Sequence, residues 1–150
     1  MTFREATAAD LPQIVRLLAD DPLGSARETA GDDIPGAYFT AFAAIEKDPN
    51  NTVVVAEIDG EIIGTLQLTY IPGLTYAGGE RAQIEGVRVA LDQRGHGVGQ
   101  ALIGWAVDQA RARGCRLVQL TTDRQRPDAI RFYQKMGFRP SHMGMKYHLA

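Results

Sequence analysis

Residues 94–99 of the chain read Arg94-Gly95-His96-Gly97-Val98-Gly99. An apolar, strand-like segment precedes this stretch, and an amphipathic, helix-like segment follows it. Glycine has no Cβ, so alternating glycines let the backbone adopt positive φ angles and approach a ligand closely. The first N–H groups of a helix lack partners within the helix, and the helix dipole is positive there. The stretch therefore predicts a loop and helix start that bind an anion, most often a phosphate.

This glycine loop differs from two common phosphate-binding motifs. Its glycines are two residues apart, whereas the dinucleotide fingerprint needs a three-residue step at its end. No Lys-Ser or Lys-Thr pair follows the last glycine, as a P-loop would require. A plain strand-to-helix turn is the alternative interpretation, and the entropic cost of three glycines in six residues argues against it.

In the strand before the loop, the apolar residues shift from even to odd positions. Ala82 and Ile84 are apolar at even positions, whereas Val87 and Val89 are apolar at odd positions. Because side chains alternate along a strand, one extra residue at positions 85–86 would keep all four on one face. We therefore predict a β-bulge, which splays neighbouring strands and leaves a backbone N–H free to hold a developing oxyanion. A strand buried on both faces is the alternative.

Periodicity and turn residues predict the order of elements. A strand over residues 2–6 precedes a helix with Thr7 as its N-cap and Asp10 in a capping-box position. We expect a loop over 21–34 and a second helix over 35–48. Further helices are predicted over 98–113 and 127–136, and strands over 52–58, 61–71, 81–90, 115–122, 138–140 and 143–149, the last two paired. This order predicts an α/β fold with a mixed, mostly antiparallel sheet and flanking helices.

The composition narrows the classes of partner. The chain has 150 residues and a formal net charge of −2, which suits one domain and argues against a nucleic-acid partner. No apolar run approaches the length that crosses a membrane. Cys115 is the only cysteine, so no internal disulfide is expected and a cytoplasmic location fits. Three scattered histidines show no metal-ligand spacing, so we expect no metal.

A second motif lies in residues 129–138, which read AIRFYQKMGF. The glycine loop resembles the Arg/Gln-x-x-Gly-x-Gly/Ala loop of the GNAT superfamily of acyl-CoA-dependent N-acetyltransferases. Residues 129–138 resemble that family's second signature, an alanine, a Phe-Tyr pair and a Gly-Phe pair. One helix and one strand separate the two motifs, as in the family. The resemblance implies a GNAT-like three-layer fold and a single N-acetyltransferase domain over residues 1–150.

The resemblance also implies acetyl-CoA as the acyl donor. The loop amides and the helix start would hold its pyrophosphate, and its pantetheine arm would pair with the backbone of the bulged strand. The implied donor-binding residues are Val87, Val89, Arg94, Gly95, Gly97, Val98, Gly99, Gln100, Asp128 and Phe132. Many family members carry an asparagine where this chain has Arg126. Asp128, Thr122 or a backbone group would replace that asparagine, and the sequence leaves the choice open.

Two residues are implied to carry the chemistry. Tyr133 matches the family tyrosine that protonates the leaving thiolate, and a core tyrosine is the alternative. Glu85 matches the acid that often serves as base at the bulge, and a solvent-facing strand residue is the alternative. A primary amine would then attack acetyl-CoA directly, without a covalent enzyme intermediate.

The predicted function is that of an N-acetyltransferase acting on the primary amine of a small molecule. A protein acetyltransferase for N-termini or lysines and a non-catalytic acyl-CoA-binding module are the alternatives. Related folds often pair through their C-terminal strands, which makes a homodimer one option for this chain. The sequence itself does not set the oligomeric state.

Overall fold

The computed structural model describes residues 1–150 and contains one five-stranded sheet. Its strands are β1 (Thr2–Glu5), β2 (Asn51–Ile58), β3 (Glu61–Ile71), β4 (Arg81–Val89) and β5 (Leu117–Leu120). The strands lie side by side in chain order; β1 to β4 are antiparallel, and β5 runs parallel to β4. The predicted mixed, mostly antiparallel sheet is therefore confirmed.

Helices cover both faces of the sheet. They are α1 (Leu11–Ala19), α2 (Pro22–Arg27), α3 (Gly36–Lys47), α4 (Thr75–Gly78), α5 (Val98–Arg113) and α6 (Pro127–Lys135). Short 3₁₀ turns precede α1 at Ala8–Asp10 and the glycine loop at Leu91–Gln93. None of these helices combines the length and apolar character that a membrane crossing needs.

Two apolar clusters form the core, one on each face of the sheet. On one face, Leu102 and Ile103 of α5 pack with Val54 of β2. On the other face, Val15 of α1 packs with Val55 of β2. Val54 and Val55 are both fully buried, because successive side chains of a strand point to opposite faces. Burial of each such side chain contributes about 1.5–3 kcal/mol.

The predicted bulge in β4 is confirmed. In the register with β3, Thr65 pairs with Arg88 and Gln67 pairs with Glu85, so the pairing shifts by one residue between them. Gly86 has φ 60°, a left-handed conformation that glycine adopts without strain. Val87 packs against the same cluster as Ile84, so the extra residue keeps the apolar face continuous.

Beyond the bulge, the sheet parts. β5 pairs only with the first half of β4, from Arg81 to Ile84. It ends at Leu120 and is shorter than the predicted strand over 115–122. Residues 85–89 of β4 therefore have no neighbouring strand on the β5 side, and an open backbone edge lines the gap.

The loop predicted over residues 21–34 contains α2, so that prediction is wrong in part. Asp21 caps the helix by accepting a hydrogen bond from the N–H of Gly24, and Pro22 occupies the first turn. A Cβ on Gly24 would collide with the carbonyl oxygen of Leu18. Only glycine therefore lets α2 pack this closely against the end of α1. A second short turn, α4, lies in the connection between β3 and β4.

The two C-terminal strands predicted over 138–140 and 143–149 are absent. Residues 136–150 contain no helix or strand, and Met145 and Tyr147 are both 90% exposed. The apolar alternation that favours a strand is present in the sequence. However, a strand forms only where a neighbouring strand supplies hydrogen-bond partners. No other segment of this chain lies alongside these residues as a strand.

Candidate active site

The glycine loop joins β4 to the start of α5. Gly95 and Gly97 have φ angles of 83° and 81°, and Gly97 is the N-cap of α5. The first intrahelical hydrogen bond of this turn runs from the N–H of Ala101 to the carbonyl oxygen of Gly97. The N–H groups of residues 98–100 thus lack partners within the helix, and no acidic residue lies in its first turn. These features suit an anion.

Gly99 marks a close approach between α5 and α6. A Cβ at this position would lie 3.5 Å from Cζ of Phe132 and 3.6 Å from a methyl group of Val89. The structure therefore brings Gly99, Phe132 and Val89 together, although they belong to three separate elements. Larger side chains at position 99 would push these elements apart.

Arg94 links the loop to its surroundings. Its Nε donates to the carbonyl oxygen of Val89 at 3.1 Å, and its Nη2 donates to the carbonyl oxygen of Asp20 at 3.3 Å. Similarly, Nη1 of Arg88 donates to the carbonyl oxygen of Val87 at 2.8 Å. Arginine side chains thus satisfy carbonyl groups of β4 where no strand lies alongside. Gln100 and His96 are exposed.

Tyr133 lies in α6 and packs edge-to-face against Phe132 and Phe138, with ring centroids 5.2 and 5.8 Å away. Burial raises the pKa of Tyr133, and the nearby charges of Arg88 and Arg126 offset part of that rise. The phenol is therefore protonated at neutral pH and able to donate a proton.

Glu85 is exposed and accepts one hydrogen bond, from Nε2 of Gln83 at 3.0 Å. Val87 packs on the α5 side of the sheet, so Glu85 and Arg88 lie on the opposite face, on either side of the bulge. An exposed carboxylate agrees with the solvent-facing interpretation and also leaves Glu85 free to take a proton.

Asp128 lies in the first turn of α6, where its carboxylate pairs with Arg131 and is 93% exposed. The only ion pair of Asp128 therefore lies on the exposed surface of α6 and joins two residues of the same helix. The side chain of Arg126, at the position of the family asparagine, instead reaches Asp21, with Nη1 to Oδ2 at 2.7 Å. Arg126 thus joins the loop before α6 to the turn before α2.

The group of residues that surrounds this contact was not predicted from the sequence. Asp21, Arg88 and Arg126, here called the Arg88 cluster, come from three distant segments. Nε of Arg88 lies 3.5 Å from Oδ2 of Asp21, and the side chains of Arg88 and Asp21 are 13% and 14% exposed. An arginine between two inward valines was the available signal, because it places a charge on the opposite face of the strand.

Two other chemistries find no support in the described residues. No group of three or more His, Cys, Asp or Glu side chains is placed to hold a metal ion. Burial and the neighbouring Glu80 raise the pKa of the Cys115 thiol, and its Sγ lies 3.7 Å from Oε1 of Glu80. A thiol in these surroundings is a poor nucleophile at neutral pH.

The order of elements, the bulge and the glycine-rich helix start define an acetyltransferase fold with a parted sheet. The acetyltransferase (GNAT) family matches residues 11–138, and the chain belongs to that family. This finding confirms the family that the two sequence motifs indicated. The family generally uses acetyl-CoA as its acyl donor.

Two relatives with named activities resemble the chain. Aminoalkylphosphonate N-acetyltransferase of Salmonella typhimurium is 35% identical over 71% of this chain and 68% of its own length. Streptothricin acetyltransferase of Streptomyces lavendulae is 30% identical over 85% of this chain. The latter match spans 58% of the relative, which is less than two thirds of its length.

Two solved structures share the fold over nearly the whole chain. A protein of Bacillus halodurans C-125 described as a transcriptional regulator is 53% identical, with a TM-score of 0.96 and 99% of both chains covered. An acetyltransferase of Trypanosoma brucei is 27% identical, with a TM-score of 0.78 and the same coverage. The fold is thus shared by proteins described as enzymes and as a regulator.

Proposed function

We propose that the protein transfers the acetyl group of acetyl-CoA to the primary amine of a small molecule, with residues 1–150 acting as one catalytic domain. The open backbone edge of β4 beyond the bulge carries this proposal. The glycine loop follows that edge directly, and Tyr133 packs against the same apolar cluster as Val87 and Val89. The names of the Salmonella and Streptomyces relatives also favour a small-molecule acceptor.

The donor side fits the chemistry of acetyl-CoA. The unpaired N–H groups at the start of α5 and the left-handed glycines before it suit a diphosphate. The open edge at Val87 and Val89 suits an extended arm that carries amides, since such an arm adds to a sheet like a further strand. Gly99 keeps Phe132 and Val89 close to this path.

Glu85 and Tyr133 transfer the protons in this reaction. As the amine nitrogen forms its bond to the acetyl carbon, the carbon–sulfur bond breaks and the sulfur leaves as a thiolate. Glu85, directly or through water, accepts the proton that the amine loses. Tyr133 donates a proton to the sulfur, and its raised pKa keeps that proton in place at neutral pH. Holding both substrates in one cleft supplies much of the acceleration.

Thiol release from acetyl-CoA tests the proposal directly. The purified chain is incubated with acetyl-CoA and a panel of primary amines and lysine peptides, and CoA binding is measured in parallel by calorimetry. Turnover with small amines supports the proposal. Turnover with peptides alone would make the protein a protein acetyltransferase, and binding without turnover would make it a non-catalytic module. Absence of CoA binding would overturn the donor site as well.

A homodimer is the assembly that the C-terminal segment favours. Residues 143–149 alternate apolar and other side chains, and Met143, Met145 and Tyr147 are 72%, 90% and 90% exposed. β5 has no strand on its outer side. A Cβ on Gly144 would lie 3.5 Å from Cγ2 of Thr121, so the segment passes the end of β5 without pairing. We propose that this segment pairs with a second copy.

Sedimentation of the full chain and of a Met145→Lys variant tests this assembly. The wild-type chain is expected to sediment as a dimer, and the variant is expected to shift toward monomer because a charge enters the apolar stripe. Lys146→Glu, which changes a side chain off that stripe, serves as the control. A monomeric wild-type chain at high concentration would exclude the pairing.

A further inference from the structure

The Arg88 cluster has donors and positive charge that the protein itself does not use. Arg88 donates one hydrogen bond, to its neighbour's carbonyl oxygen, although a guanidinium carries five N–H donors. Its Nε is buried and makes no hydrogen bond, and it lies 3.5 Å from Oδ2 of Asp21, at ion-pair distance only. Buried donors that lack hydrogen bonds cost about 1–3 kcal/mol, so a guanidinium with most of its donors unused is a reason to look for a ligand.

The charges of the cluster are also out of balance. Asp21 is the only carboxylate within ion-pair distance of Arg88 or Arg126, and it also accepts the N–H of Gly24. Burial lowers the pKa of Arg88, and the nearby charge of Arg126 lowers it further. One aspartate shared by two arginines leaves one positive charge without a partner.

The cluster lies on the acceptor side of the site. Arg88 and Glu85 share one face of β4, opposite the cluster that packs on α5. Arg126 is the N-cap of α6, the helix that carries Tyr133. Burial raises the pKa of Tyr133, and the charges of Arg88 and Arg126 offset part of that rise. The phosphate-binding features of the glycine loop lie elsewhere, at the start of α5.

From this arrangement we infer that the acceptor carries a tetrahedral oxyanion, a phosphonate or a phosphate monoester, which Arg88 and Arg126 bind while its amine faces Glu85 and Tyr133. This inference rests on the proposed function, because it names the substrate class of the same site. Guanidinium groups match such oxyanions with paired hydrogen bonds and charge. The oxyanion would neutralise the positive charge that Asp21 leaves without a partner, whereas an amine with no anionic group would leave that charge unpaired in a half-buried site.

Three amines of similar length separate the charge of the acceptor from its size. They are 2-aminoethylphosphonate, 3-aminopropanoate and propylamine, assayed by thiol release at saturating acetyl-CoA. We expect the kcat/KM of the wild-type chain to be highest for the phosphonate and about 100-fold lower for propylamine. Equal values for the three amines, or a preference for propylamine, would overturn the inference. Turnover with none of them but with other neutral amines would do the same.

Substitutions of the two arginines test whether they cause the preference for the phosphonate. Arg88→Gln and Arg126→Gln should each lower kcat/KM for 2-aminoethylphosphonate about 10- to 100-fold, with little change for propylamine or in the KM of acetyl-CoA. Arg126→Gln lies in a loop and guards against a folding defect of Arg88→Gln. As the control, Arg124→Gln removes the same charge from an exposed side chain two residues before Arg126. This variant should change none of these kinetic constants. Equal losses with all amines, or a raised KM for acetyl-CoA, would contradict the assignment.

A binding measurement keeps this inference separate from the proposed function. Methylphosphonate, which has no amine, is titrated calorimetrically into protein saturated with CoA, so that the glycine loop is already occupied. Binding that Arg88→Gln abolishes and Arg124→Gln preserves supports the oxyanion site even if no amine is acetylated. Absence of binding, or binding that survives in Arg88→Gln, refutes the oxyanion site even if amines are acetylated.

Discussion

Two arginine-centred groups lie on this sheet, and they differ in how completely their charges are paired. Arg4 on β1 donates to Glu57 through Nε at 2.7 Å and to both oxygens of Asp10, at 2.7 and 3.0 Å. Arg4, Asp10 and Glu57, here called the Arg4 network, thus join one cation to two anions. In the Arg88 cluster, two arginines share Asp21, and the buried Nε of Arg88 makes no hydrogen bond.

The comparison separates a structural ion network from a binding site. In the Arg4 network, Asp10 also accepts the N–H of Thr7 at 2.7 Å, so the network secures the start of α1 to the sheet. Hydrogen bonds from Arg4 hold the pKa of Asp10 below its usual range, against the opposing effect of burial. Because Arg4 finds its anionic partners within the chain, we expect substitutions in the Arg4 network to change the free energy of unfolding. We expect substitutions in the Arg88 cluster to change kcat/KM.

The largest effect should come from Tyr133→Phe, beside the Arg88 cluster. Removal of the proton donor is expected to lower kcat about 10²- to 10⁴-fold, while the KM of acetyl-CoA stays the same. The free energy of unfolding should change little, because the hydroxyl makes no hydrogen bond within the protein. Tyr76→Phe removes a hydroxyl from an exposed ring and serves as the control in the same assay. Wild-type turnover in Tyr133→Phe would show that the ring only packs.

Asp10→Asn should have the next largest effect, and on stability alone. The change leaves Arg4 with one anion and weakens the cap of the helical start, at a cost of about 1–3 kcal/mol. The lower part of that range is expected, since the Arg4 side chain is 36% exposed. Urea denaturation measures the cost, and kcat/KM at low temperature should match the wild type. A kinetic defect without loss of stability would reverse the proposed division of roles.

A smaller effect is expected in the dependence of stability on pH. The folded-state pKa of Asp10 lies below its unfolded value, so its contribution is fully present above the unfolded pKa of about 3.9. That contribution is lost as the pH falls through the folded pKa. The free energy of unfolding should therefore fall more steeply with acid in the wild type than in Asp10→Asn. Parallel curves between pH 7 and pH 3 would show that Asp10 does not contribute this linkage.

The smallest effect is expected for Asp108→Asn on α5. Asp108 pairs with Arg111 at 2.9 Å, a distance close to those of the Arg4 network, but both side chains are 73% exposed. Solvent screens such a pair, so its removal should leave the unfolding midpoint within experimental error. A destabilisation as large as that of Asp10→Asn would mean that distance alone, and not burial, decides the strength of these pairs.

Local patterns predicted the features that depend on neighbouring residues. The shift of parity from Ile84 to Val87 predicted the bulge, and the structure confirms it. The turn between β2 and β3 at Asp59-Gly60 and the end of α5 at Gly114 also depend on local residues, each of which has a positive φ angle. The short helix α2 escaped prediction because its composition resembles a loop, although Asp21 followed by Pro22 is a helix-start signal.

Features that depend on distant segments escaped prediction. Residues 143–149 have the alternation of a strand, but no segment of the same chain pairs with them. Asp128 pairs with Arg131 on the exposed surface of α6, and its role in donor binding, which the resemblance implies, stays a prediction. The predicted roles of Glu85 and of the glycine-loop residues remain predictions for the experiments above.

The sequence by itself determined the family, the bulged strand and the glycine-rich helix start, because each depends on residues within a few positions of one another. Only the tertiary structure decided that Asp21, Arg88 and Arg126 meet, since the three segments lie far apart in the chain and no local periodicity links them. The lack of a hydrogen bond to Nε of Arg88 arises from that meeting, because the number of partners around a buried charge is set by packing and not by spacing along the chain.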